Sequence, residues 1–155
     1  MSNPGDADAT PIPDKAALAA WLAAGCKPKS EWRIGTEHEK FGFRHADLAP
    51  PPYAPAGIAA ILEGIGARGW APIEDDGRLI GLKRGGASVS LEPAGQLELS
   101  GAPLEDLHQT AAELEAHLRE VAEVASPLGI GFAPLGFHPL ARREDMPWMP
   151  KGRYA

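Results

Sequence analysis

GRLIGLKRGGASVSLEPAGQLELSG, Gly77 to Gly101, decides the fold. Two parts of it alternate strictly. Val89 and Leu91 are interleaved with Ser88, Ser90 and Glu92, and further on Leu97 and Leu99 are interleaved with Gln96, Glu98 and Ser100. A period of two belongs to strands with one buried face. With Pro93-Ala94-Gly95 as the connecting loop, Glu92 falls opposite Gln96 and Ser90 opposite Glu98 in an antiparallel pair, so both carboxylates share one face. Just upstream, Trp70 to Glu74 and Arg78 to Lys83 flank Asp76-Gly77, a dipeptide that supplies the positive φ angles of a tight hairpin. An antiparallel meander is therefore expected.

Outward from this core, Trp32 to His45 reads as another strand and the Pro-rich APPPYAP after it as a loop. Pro103 to Ser126 predicts the strongest helix, with Leu104, Leu107, Ala111, Leu114, Leu118, Val121 and Ala125 at helical spacing and Pro127 just beyond. A second helix, Ala56 to Arg68, is weakened by Gly57, Gly64 and Gly66. The first helix is amphipathic, capped by Asp14, striped by Leu18, Trp21 and Leu22, and ended by Gly25. Gly131 to His138 reads as a further strand, and the tail ARREDMPWMPKGRYA as extended loop. Residues 1–12 have the small, polar composition of a disordered leader, and residues 13–155 form one domain. The class is α+β, a curved antiparallel sheet with flanking helices.

Composition is that of a globular protein, 44% apolar and 23% charged, with no apolar run long enough to cross a bilayer. A net charge of −6 argues against general affinity for nucleic acid or anionic lipid. The sign is uneven: Leu140 to Ala155 carries +2, leaving −8 on the remainder, and a basic tail on an acidic body suits small anions. Arg142, Arg143, Lys151 and Arg153 are the candidate substrate-binding groups. The single cysteine, Cys26, permits no internal disulfide, which makes a reducing compartment, the cytoplasm, the expected location.

GTEHEKFGF, Gly35 to Phe43, places Glu37 and Glu39 on the same side as Phe41 and Phe43. Like charges at i and i+2 of a strand repel, and a divalent cation removes that cost. Oxygen donors without paired histidines favour Mg²⁺ or Mn²⁺ over zinc. Glu37, Glu39, Glu92 and Glu98 are the candidate metal ligands, and carboxylates gathered on one sheet point to phosphoryl chemistry. The plain alternative is a solvated face whose glutamates pair with Arg33, Lys83 or Arg84. His38 falls on the other face of its strand, and His108 and His117 are nine residues apart on one helix, so none of these histidines is assigned a role. KRGGAS lacks the spacing of a P-loop and reads as a turn.

WRIGTEHEKFGF, LEPAGQLELSGAPLEDLHQT and RREDMPWMPKGRY, in that order, resemble segments of the glutamate-cysteine ligases of plant and proteobacterial type. The resemblance implies a fold similar to the catalytic domain of glutamine synthetase. It also implies ATP-dependent ligation of L-glutamate to L-cysteine, the first step of glutathione synthesis. ATP and Mg²⁺ are the implied cofactors, with the metal on the sheet carboxylates. Because members of that family are several hundred residues long, the chain is expected to be an N-terminal portion, incapable of turnover alone. A ligase with another amine acceptor and a non-catalytic nucleotide- or metal-binding module are the alternatives.

Overall fold

The computed structural model describes residues 10–154. The expected leader therefore lies largely outside the described residues, and Thr10 to Pro13 are exposed and without regular structure. In chain order the elements are α1 (Lys15–Ala24), β1 (Glu37–Arg44), α2 (Ile58–Gly66), β2 (Ala71–Asp75), β3 (Arg78–Arg84), β4 (Ala87–Leu91), β5 (Leu97–Ser100), α3 (Leu107–Ala125) and β6 (Ile130–Ala133). The strands form one open six-stranded sheet in the order β2-β3-β4-β5-β1-β6, and every neighbouring pair is antiparallel. The α+β expectation is met.

Hairpin chemistry sets the order on one side of the sheet. Asp76 and Gly77 at the β2–β3 turn have φ of 50° and 68°, and Gly85 and Gly86 at the β3–β4 turn have 56° and 89°. Two consecutive positive φ values are the tight-turn geometry that matches the twist of the flanking strands. β4 returns to β5 through the short loop predicted from Pro93-Ala94-Gly95, closed by Glu92 N–H donating to Gln96 O at 2.8 Å. Ser90 lies opposite Glu98, and Val89 opposite Leu99.

The buried face of the sheet carries Leu82, Val89, Leu91, Leu97 and Leu99, against which Ile58, Ile61, Leu62 and Ile65 of α2 and Val121 and Ala125 of α3 pack. Each of these larger side chains contributes about 2 kcal/mol by leaving water. Gly64 counts against α2 as a sequence but is required by the packing, because a Cβ there would come within 2.5 Å of the Val124 side chain on α3.

Several sequence boundaries move. The strand expected from Trp32 to His45 shortens to β1, and Ile34 makes only an isolated bridge to Leu104. The strand expected from Gly131 to His138 is β6, which ends at Ala133. α3 begins at Leu107, where Asp106 accepts from His108 N and Gln109 N at 2.8 and 2.9 Å. Of its predicted stripe, Leu114, Val121 and Ala125 face the core, and Leu107 and Leu118 do not. Leu107 and Leu118 are 71% and 40% exposed, whereas His117 is 3% exposed, since one residue step turns a helix by roughly 100°. α1 forms as expected, with Asp14 Oδ1 accepting from Ala17 N at 2.7 Å and Gly25 at its end, yet none of its residues is buried.

Candidate metal and substrate face

Two rows of side chains run across the sheet on the face opposite the apolar core. In one, Gly81, Ser90, Glu98 and Glu39 succeed each other on β3, β4, β5 and β1. In the other, Lys83, Ser88, Ser100 and Glu37 do the same. Residues directly opposite in an antiparallel pair lie on one face with Cβ atoms about 5 Å apart, so the Glu39 and Glu98 side chains leave the sheet as neighbours. Glu98 is 2% exposed and Glu39 is open to solvent. Glu98 Oε2 and Oε1 accept from Ser90 Oγ at 3.4 Å and Ser100 Oγ at 3.2 Å, and Glu39 Oε2 accepts from Gln96 Nε2 at 3.0 Å.

The other two predicted metal ligands occupy different settings. Glu37 stands two residues from Glu39 on the same face, opposite Ser100. Glu92, at the end of β4, accepts from Tyr154 Oη at 3.1 Å and lies 3.7 Å from Lys151 Nζ. Two of the basic partners considered for the glutamates are engaged elsewhere: Arg33 pairs with Glu105 at 3.6 Å, and Arg84 pairs with Glu120 at 3.0 Å while stacking over Trp70.

Among the described residues no group of three or more His, Cys, Asp or Glu side chains converges on one point. The candidate donors are the Glu39 and Glu98 carboxylates, to which the Gln96 amide and the Ser90 and Ser100 hydroxyls donate. This fits Mg²⁺, which commonly takes one or two protein carboxylates and completes its octahedron with waters and substrate phosphates. It does not fit a closed all-protein cage.

The predicted substrate-binding cations are dispersed. Arg142 is solvent-exposed and pairs with Glu144 at 3.3 Å. Arg143 lines a cavity of about 320 Å³ with Pro93, Ala94, Trp148, Met149 and Tyr154. Lys151, 3% exposed, donates to Leu91 O at 3.0 Å, and its neighbour Gly152 N–H donates to Asp75 Oδ2 at 2.7 Å, so this stretch fastens the tail across the ends of β4 and β2. The Arg153 side chain lies outside the described residues. On β1 beyond the acids, Phe41 and Phe43 line an apolar cavity of about 170 Å³ with His138, whose ring meets Phe41 edge-on at 5.9 Å.

On the core side of the same strands lies a group that sequence reasoning missed. Lys40 is 1% exposed and donates to His38 O at 3.2 Å and Leu97 O at 3.1 Å. Burial pulls its pKa down to about 7, against the opposing pull of Glu98. His117 reaches in from α3, and neither of its ring nitrogens has a hydrogen-bond partner. Burial, then the charge on Lys40 and the influence of His38 and Arg84, lowers its pKa to about 3. Strict alternation along β1 was the available signal, since it turns Lys40 inward wherever Glu39 points outward.

The fold is an antiparallel α+β sheet that carries Glu37, Glu39 and Glu98 on the face opposite its apolar core. The chain matches the family "Glutamate-cysteine ligase family 2 (GCS2)" over residues 33–155, and it belongs to that family. It is 56% identical over 138 residues to the chloroplastic glutamate-cysteine ligases of Brassica juncea and Arabidopsis thaliana, and 54% identical to chloroplastic glutamate-cysteine ligase A of Oryza sativa subsp. japonica. These matches cover 88% of this chain but only 26% to 28% of the relatives, so the chain spans about a quarter of their length. The cytoplasmic location expected from a lone cysteine is overturned, because these relatives are chloroplastic proteins. A cysteine count speaks to redox conditions and cannot select among reducing compartments.

Proposed function

We propose that the acidic sheet face serves an ATP-dependent ligation joining the side-chain carboxylate of L-glutamate to the amine of L-cysteine, giving γ-glutamylcysteine for glutathione synthesis. The observation that carries this is the facing pair Glu39 and Glu98 in a chain of the glutamate-cysteine ligase family.

In the reaction a γ-carboxylate oxygen attacks the γ-phosphorus of ATP, ADP departs, and the acyl phosphate is attacked by the amine, which loses a proton as inorganic phosphate leaves. Glu39 and Glu98 would hold Mg²⁺, with Glu37 and Glu92 as the neighbouring acids. Bound Mg²⁺ supplies charge stabilisation to phosphate oxygens in such transfers. Arg143, which lines the cavity with Trp148 and Tyr154, would anchor a phosphate or carboxylate through two parallel charge-assisted hydrogen bonds. Arg142 and Arg153 are the further candidates for that role. Ser90, Ser100 and Gln96 orient the acid pair by donating to it.

A chimera tests this reading. Replacing the matching 138-residue segment of the Brassica juncea ligase with that of this chain should preserve ADP release that requires both glutamate and cysteine. A folded chimera that makes no γ-glutamylcysteine, or that works equally well with other amino acids in place of cysteine, would contradict it.

A further inference from the structure

Glu39 and Glu98 meet across β1 and β5, and the residues one step along each strand, Lys40 and Leu97, are also directly paired. Alternation places that second pair on the opposite face, immediately behind the acids. Lys40 is closed off from solvent, and its ammonium donates to Leu97 O on β5 and to His38 O on β1. One side chain therefore ties together the two strands that carry the acid pair, from the side no substrate can reach.

A buried lysine is a costly way to join two strands, because an apolar residue would fill the space without desolvating a charge. The surroundings fit a cation all the same. Both acceptors are backbone carbonyls, His38 O on β1 and Leu97 O on β5, which suit an N–H donor.

We propose that Lys40 is a positioning residue for the metal: by tying β1 to β5 from behind the sheet, it fixes the relative placement of Glu39 and Glu98, the side chains that would hold the cation. The proposal rests on the metal-binding reading given above. Mg²⁺ and Mn²⁺ demand short, nearly ideal coordination, whereas Ca²⁺ accepts longer and irregular bonds. Loosening the seam should therefore cost the small ions more than the large one. That selectivity is a readout which general loss of stability does not move.

Mn²⁺ and Ca²⁺ affinities are measured by titration calorimetry on the 155-residue chain, as wild type, Lys40→Met, Lys40→Gln and Glu98→Gln. Lys40→Met is expected to weaken Mn²⁺ by about tenfold or more, the effect typical of groups that orient metal ligands, with a smaller change for Ca²⁺. Lys40→Gln keeps N–H donors and should fall between. A Mn²⁺ to Ca²⁺ ratio unchanged in both folded Lys40 variants, alongside wild-type binding that Glu98→Gln abolishes, would overturn this proposal and leave the metal reading standing. Wild-type Mn²⁺ binding that is absent or indifferent to Glu98→Gln would overturn both. Should neither Lys40 variant fold, ¹⁵N NMR of the wild-type Lys40 ammonium decides: it should shift with the same midpoint as Mg²⁺ binding, and a resonance that Mg²⁺ does not move contradicts the proposal.

Discussion

Glu39 and Glu98 are directly paired across β1 and β5, Glu39 accepting from Gln96 and Glu98 from Ser90 and Ser100, while the inward-turned Lys40 lies behind them. Like charges directly opposite in a sheet destabilise it by a few tenths of a kcal/mol up to about 1 kcal/mol. Replacing Glu39 by Gln keeps an acceptor for Gln96 and removes the repulsion. Glu39→Gln should therefore raise the urea midpoint of the metal-free chain by about that energy at low salt. The gain should shrink as ionic strength rises. A loss of stability would show that the two carboxylates are not in electrostatic conflict.

His117 makes stability depend on pH. Its folded pKa near 3 lies below the ordinary 6.5, so between those values the unfolded chain binds more protons. Stability present above pH 6.5 is lost as the pH falls toward 3, by at most about 1.4 kcal/mol per pH unit for one such group. Lys40, with a folded value about 7 against 10.5, acts in a separate window: stability rises with pH from about 7 to 10.5. His117→Leu replaces two unpartnered nitrogens with an apolar side chain and should stabilise the neutral-pH protein by about 1 to 3 kcal/mol. It should also flatten the acid limb of the curve without altering the alkaline one. Urea unfolding at a series of pH values reads both effects, and an unchanged acid limb would refute the assignment.

Gly81 sits in the same cross-sheet row as Ser90 and Glu98. A Cβ there would come within 2.8 Å of Val89 O and 3.3 Å of Ser90 Cα. Neither is a flexible side-chain tip. Gly81→Ala should cost about 1 to 3 kcal/mol and displace β4 against β3. Thermal unfolding would show it, and a neutral substitution would mean the two strands have slack.

The sheet was legible because its signals are local. Asp76-Gly77 and the strict alternation from Ser88 to Ser100 fixed turn, register and the outward face of Glu98 without tertiary information. The helices were legible in type and less so in orientation. A histidine occupies the buried seam of α3 where hydrophobic spacing favours Leu118, and Gly64 weakens α2 by propensity while permitting its approach to Val124. Within the site, Glu39 and Glu98 could each be read as outward-facing acids, but their pairing could not, because β1 and β5 are far apart in sequence, and neither could the division of labour among the basic groups. Lys151 lies eleven residues after Leu140 in a segment with no period, and only the folded tail brings its ammonium to Leu91 O and Glu92.

Mg²⁺ titrated calorimetrically into the wild-type chain and a Glu39→Gln/Glu98→Gln variant, each with and without ATP, bears most directly on the acid pair as a cation site. Wild type should bind Mg²⁺, more tightly when ATP supplies phosphate oxygens, and the doubly substituted chain should lose that binding while retaining a cooperative unfolding transition. Equal Mg²⁺ affinity in the two folded proteins would contradict the account.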